Sequence, residues 1–242
     1  MARGMDFYED QLASVKDTLF NNLFSPGLEI TNLLEVGVGS GPNFRYYKQQ
    51  QQQQQQSSKT SAGAVSDTSR TQSSSSSSSS SSGGRGRLTS VVGLDPNPAM
   101  QQYARESAAA QGLEGVVQLV EGSGEALPYP DNSFDAVVCT LVLCSVPNPK
   151  LAVSEMLRVL RPGGRLAVLE HVLAPPDRRF IRVSQGILNP VQRLLADGCN
   201  LNRDTLVVYR EAGFGTVEVE SFEAKGLFVI APHIVGIATK AL

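Results

Sequence analysis

From Gln49 to Arg87 the chain consists almost wholly of Gln, Ser, Thr and Gly, and Val65 is its one large apolar side chain. Such a stretch cannot bury enough apolar surface to offset the entropy of ordering it. It is read as a disordered insert, and removing its 39 residues from 242 leaves 203. That suits one domain of ordinary size with a real core, made of residues 1–48 and 88–242 on either side of the insert at 49–87. The insert carries +3 (Lys59, Arg70, Arg85 and Arg87 against Asp67), so subtracting it from the whole-chain −2 leaves the domain at −5. A mildly acidic domain without a basic stripe interleaved with aromatics is a poor nucleic-acid binder.

Short apolar runs alternate with helical patterns along the domain. Asn32 to Val36, Leu88 to Leu94, Val116 to Val120, Phe134 to Thr140 and Leu166 to Val172 read as strands. Helices are expected at Asn97 to Gln111 and at Lys150 to Leu160, the second with Val153, Met156, Leu157 and Leu160 as its buried stripe and Arg161-Pro-Gly-Gly at its end. A further helix at Phe180 to Leu195 precedes two β-rich segments, Thr216 to Phe222 and His233 to Lys240, which suit a sheet finished by an antiparallel strand. The fold class is therefore α/β, a doubly wound sheet of about seven mostly parallel strands with an antiparallel final strand.

At the N-terminus Tyr8, Leu12, Val15, Leu19 and Leu23 recur at helical spacing, so one side of that helix is apolar. It packs on the domain or closes over its ligand; a membrane-surface helix is the alternative. Cys139, Cys144 and Cys199 lack paired metal-ligand spacing, so neither a metal nor a disulfide framework is expected. The longest apolar runs are strand-sized and fall short of a transmembrane segment. The expected compartment is cytoplasmic, with a peripheral place on an intracellular membrane as the alternative. The oligomeric state is left open.

In "EVGVGSGPNF", Gly37, Gly39 and Gly41 follow a strand where the backbone must turn sharply and approach a ligand closely, and Pro42 is placed to open a helix. The spacing Gly-x-Gly-x-Gly after Glu35 departs from the dinucleotide fingerprint and looks like the first motif of S-adenosylmethionine-dependent methyltransferases. Asp95, closing the next strand in "VVGLDPNP" with Pro96 and Asn97, is placed to accept both ribose hydroxyl protons. Gly41 and Asp95 lie 54 residues apart, against roughly 20 in the usual fingerprint. The excess nearly equals the insert, which therefore occupies the loop between the first helix and second strand, away from the ligand.

"VEGSGEALPYPDNSFDAVVCT" resembles the third and fourth methyltransferase motifs, but Ser123 stands where many relatives carry an adenine-binding Asp. Backbone around Ser123 and Gly124, or Glu125, must then read the base. Cys139 and Leu141 complete the cofactor contacts that this resemblance implies. "VVCTLVLCSV", "RVLRPGG", "EHV", "DGCNLNR" and "PHIVGIATK", in that order, look like the thiol S-methyltransferase family, the methyltransferase-like proteins of type seven. The resemblance implies a Rossmann-like methyltransferase fold, S-adenosylmethionine as cofactor and small thiols as acceptors. It also implies a long apolar membrane anchor at the N-terminus, which this sequence does not show.

A thiol with a pKa near 8.5 already supplies some thiolate at neutral pH, so positioning can do much of the work. Leu141 to Val146 would form an apolar wall, and His171 and Asp197 are the two catalytic candidates for handling the acceptor's proton. Each has a structural alternative: His171 bonding a backbone carbonyl, Asp197 capping a turn. The cysteines read as small hydrophobes, and His233 lines the acceptor pocket or fixes the last strand. Other readings are a C-methyltransferase of quinone or lipid precursors, and a nucleotide-binding module without catalysis. A nicotinamide dehydrogenase fits least, since the third glycine comes one residue early.

Overall fold

The computed structural model describes residues 2–25, 28–63 and 88–242. Seven strands, β1 (Asn32–Val36), β2 (Ser90–Asp95), β3 (Val117–Glu121), β4 (Phe134–Thr140), β5 (Leu160–His171), β6 (Thr216–Glu223) and β7 (Pro232–Thr239), form one sheet in the order β3-β2-β1-β4-β5-β7-β6. Strands β1 to β5 pair in parallel, and β7 runs antiparallel to both β5 and β6. This is the expected doubly wound sheet with its antiparallel final strand. The central strands β1 and β4 are mostly apolar because both faces are covered, and every residue of β4 up to Cys139 is buried.

Side chains alternate between two cores. Leu33, Val91, Ala136 and Val138 meet α1 (Ala2–Leu23), α2 (Phe44–Gly63) and α3 (Met100–Gln111) on one face. Leu34, Val36, Val137 and Leu166 meet α4 (Pro149–Val159) and α6 (Thr205–Glu211) on the other. The apolar stripe of α1 is spent on the domain, with Leu12, Leu19 and Leu23 buried. The expected strands are found with ends shifted by a few residues. Strand β5 starts earlier than expected, because Arg161-Pro-Gly-Gly continues into it after α4. The buried stripe of α4 is accordingly Ala152, Val153, Met156 and Val159, with Leu160 already in the strand.

Three further features differ from expectation. Pro42 and Asn43 lie in the turn, and α2 begins only at Phe44. Helix α2 then runs through the glutamine tract to Gly63, so Gln49–Gly63 is helical where disorder was expected. Glutamine is a fair helix former, and no Pro or Gly interrupts a helix already started by Phe44 to Tyr47. The remainder of the insert, 64–87, lies outside the described residues. Lastly, the short α6 precedes β6, and a single 3₁₀ turn at Phe228–Ile230 joins the last two strands.

Helix α5 (Arg179–Leu195) covers the carboxyl end of β5 and is anchored by one side chain. Gln185, fully buried, accepts from the Ala174 amide at 2.8 Å and donates to the carbonyls of Val172 and Val229 at 3.0 and 2.9 Å. Its outer face leaves Phe180, Val183, Ile187, Val191 and Leu194 exposed. Among the described residues no helix is long and apolar enough to cross a membrane.

Candidate active site

The strand order reverses between β1 and β4, and in such sheets ligands bind outside the carboxyl ends of the strands at that point. The glycine turn leaves β1 there, with positive φ at Gly37 (70°), Gly39 (52°) and Gly41 (78°). A Cβ on Gly37 would lie 2.4 Å from Cγ2 of Val142, so this glycine lets the turn press against the loop after β4. At Gly39 a Cβ would meet nothing within 4 Å, so that stretch of backbone faces open space.

Asp95 ties the end of β2 to this turn. Its carboxylate accepts from the amides of Gly39 and Asn97, both at 2.9 Å, and each oxygen keeps capacity for a further donor. Pro96 and Asn97 beside it are exposed. The loop after β3 comes to the same place, since a Cβ on Gly124 would approach Cγ1 of Val36 to 2.8 Å. Ser123 on that loop is exposed, and Glu125 accepts from the amide of Asn148.

Burial corrects two of the expected cofactor contacts. Glu35 is 1 % exposed, and its carboxylate accepts from Asn43 Nδ2 at 2.8 Å and from the Tyr47 hydroxyl at 2.7 Å. Burial raises its pKa to about 7. It braces the turn from inside, with Asn43, which also donates to Thr140 Oγ1 at 3.0 Å. The signal for this brace was present in the sequence only as an Asn and a Tyr at the head of a helix. Cys139 is fully buried among the α4-side residues, with its thiol between Glu170 and the Tyr209 hydroxyl, so it faces no open space. Its neighbour Leu141 is partly buried at φ 60°, starting the loop after β4.

Glu170 shapes that loop by accepting from the amides of Val142 and Leu143 at 3.0 and 3.1 Å. Its carboxyl is pushed up to about 7 by burial, against the pull of those amides. Next in β5, His171 is 4 % exposed, with Nε2 at 3.1 Å from Cys199 Sγ and Nδ1 without a partner among the described residues. Cys199 is held below the ordinary thiol range, first by the Cys144 thiol and then by His171, while Cys144 is driven up. Thus the fold gathers three residues that the sequence reading kept apart. Asp197 is not gathered with them: it is exposed, at φ 46°, in the turn after α5.

His233, opposite His171 in the β5–β7 register, is fully buried. Its Nδ1 lies 2.9 Å from the Ala231 carbonyl and its Nε2 2.7 Å from the Tyr8 hydroxyl, so it fixes β7 and the first helix.

The chain is 33 % identical over 237 residues to the human thiol S-methyltransferase TMT1A, covering 96 % of this chain and 81 % of that protein. It belongs to the thiol S-methyltransferase family of S-adenosylmethionine-dependent methyltransferases. Residues 72–168 of this methyltransferase also match the general methyltransferase domain family. The ubiquinone/menaquinone biosynthesis C-methyltransferase UbiE of Salmonella arizonae is 32 % identical over 164 residues, which cover 61 % of this chain and 64 % of that one. A SAM-dependent methyltransferase from Methanosarcina mazei shares the fold with a TM-score of 0.61 at 19 % identity, covering 93 % of this chain and 97 % of the other.

The enzyme uses S-adenosylmethionine, and its residues fit that group. The open side of Gly39 admits a ligand against the backbone, and the Asp95 carboxylate beside it has acceptor capacity for ribose hydroxyls.

Proposed function

We propose that this methyltransferase methylates small-molecule thiols at sulfur. The reading rests on its likeness, along 96 % of its length, to a thiol S-methyltransferase. Gly37, Gly39, Gly41 and Asp95 hold the cofactor, with Pro96, Asn97, Leu141 and the Ser123 to Glu125 loop around it. Bound there, S-adenosylmethionine supplies an electrophilic sulfonium methyl. The chain's own part is to orient the acceptor and take its proton: the loop after β4 adjoins Gly37 through Val142, and His171 closes the same end of β5. We assign the proton to the unpartnered ring nitrogen of His171 rather than to the exposed Asp197.

Methylation of a quinone precursor at carbon is the second reading, supported by the likeness to UbiE. Labelled S-adenosylmethionine with sulfide, short alkyl thiols and quinone precursors separates the two, with Asp95→Ala as control. Labelled thioether lost in the variant supports the thiol reading; label in quinones alone sinks it.

The chain's place in the cell is read from α5. Its exposed apolar face is flanked by Arg179, Arg182 and Arg193, and the helix contains no acidic residue. That is the composition of an interfacial helix facing anionic lipid, so the enzyme is proposed to sit peripherally on an intracellular membrane.

A further inference from the structure

We propose that Cys144, Cys199 and His171 form a site for one soft divalent cation of the zinc class, leaving a fourth position for a ligand from outside. Their ligand atoms all lie within 4.8 Å of one another. In a tetrahedral site with bonds of about 2.0 to 2.3 Å, ligand atoms stand roughly 3.5 to 3.8 Å apart. The cluster therefore needs only small side-chain adjustments to close around an ion.

The three residues come from separate elements that are stitched together. The carbonyl of Cys144 accepts from the amide and the side chain of Asn200, both at 2.8 Å. Arg203 donates to the carbonyls of Leu143 and Val146 at 2.5 and 2.6 Å, which binds the cysteine-bearing turn after α5 to the loop after β4. His171 is placed by the β5–β7 register. Such rigidity is what a metal site requires of its ligands.

Charge and satisfaction point the same way. The Nδ1 of His171 and one oxygen of the neighbouring Glu170 are buried without partners among the described residues. The imidazole therefore has capacity that no protein group uses. Two thiolates and a divalent ion sum to zero, which suits an enclosed site better than two bare thiolates near a carboxylate. On binding, the thiol protons pass to buffer and two sulfur–metal bonds and one nitrogen–metal bond form.

Two cysteines and one histidine make a three-ligand set, the pattern of zinc sites that keep one position open. An acceptor thiolate can fill that position, and this clause alone rests on the thiol reading above. In the loaded protein His171 is a ligand, and acidifying the acceptor falls to the ion; in the metal-free protein the imidazole takes the proton.

The test uses the full chain, stripped with a chelator and titrated with Co²⁺ and Zn²⁺. One equivalent of Co²⁺ should bind with thiolate-to-cobalt absorption, and Zn²⁺ should displace it. Cys144→Ser and Cys199→Ser should each abolish the absorption and weaken binding by more than ~100-fold, while Cys139→Ser keeps both. Should either serine variant fail to fold, Zn²⁺ should still protect Cys144 and Cys199 of the unaltered protein from alkylation, mapped by mass spectrometry. No absorption, absorption that survives loss of Cys144 or Cys199, or no protection overturns the site. Absorption that an alkyl thiol shifts supports the open position; an unshifted spectrum overturns it. An intact site in a protein that methylates no thiol sinks the thiol reading instead.

Discussion

The Tyr8 hydroxyl donates to Nε2 of His233 at 2.7 Å, joining the first helix to the last strand across 225 residues of sequence. Because Nδ1 faces the Ala231 carbonyl, the proton sits on Nδ1 and the neutral ring satisfies both neighbours.

Burial lowers the pKa of His233 from 6.5 to about 4. The unfolded chain therefore takes up this proton first as pH falls. Its stabilising contribution is present above about 6.5 and is lost as pH drops towards 4. We expect His233→Gln to lower the urea midpoint clearly at pH 7 and by less at pH 4.5. Glu35 and Glu170 titrate in both proteins and cancel from the comparison. A gap equal at the two pH values would contradict this account. Tyr8→Phe should cost about 1 kcal/mol at pH 7 for the lost hydrogen bond.

Gly37 and Gly39 share a left-handed conformation but differ in what lies beyond them. Gly37→Ala must displace Val142, so it should be markedly less stable in thermal denaturation. Gly39→Ala bears only the backbone strain, about 1 to 2 kcal/mol. Calorimetry with S-adenosylhomocysteine should nevertheless show a Kd raised by roughly tenfold or more, since the methyl group enters the ligand's space. Equal stability losses, or an unchanged Kd at Gly39→Ala, would contradict the placement of the cofactor against the glycine turn.

His171 and Asp197 make opposite predictions. His171→Ala should lower kcat for thiol methylation by about 10²- to 10⁴-fold while cofactor affinity holds. Asp197→Asn should leave kcat and KM as they are. Loss of turnover in the asparagine variant would restore Asp197 to the site.

Helix α5 is testable apart from catalysis. Flotation with vesicles containing phosphatidylserine should carry the protein along, and neutral phosphatidylcholine vesicles should carry less. Ile187→Asp with Leu194→Asp should release it without altering the melting temperature, because both side chains are exposed. Failure to float with either lipid would withdraw the membrane assignment.

The sheet was readable because its strands are short, mainly apolar or alternating runs set between helical patterns, and its first turn needs glycine for steric reasons. Gly39 and Asp95 were each legible as motif residues, but the hydrogen bond that joins them was not. The Glu35–Asn43–Tyr47 brace was not readable, since a buried carboxylate looks in sequence like an exposed one. Nor was the Cys144–His171–Cys199 group, whose members lie 27 and 28 residues apart and meet only when α5 folds back over β5. The tract after Lys48 misled in the other direction: composition spoke for disorder, but a helix already begun continues through glutamine at little cost.

That continuation gives the tract a geometric meaning. Gln51 donates to the Leu88 carbonyl at 3.0 Å, so the start of the run is fastened beside β2, ahead of most of its glutamines. Each glutamine gained or lost beyond that fastening shifts the helix exit by about 1.5 Å and turns it by about 100°. Repeat number thus acts as a vernier on where α2 ends, graduated in helical steps, while the glycine turn at the opposite end of the sheet keeps its setting.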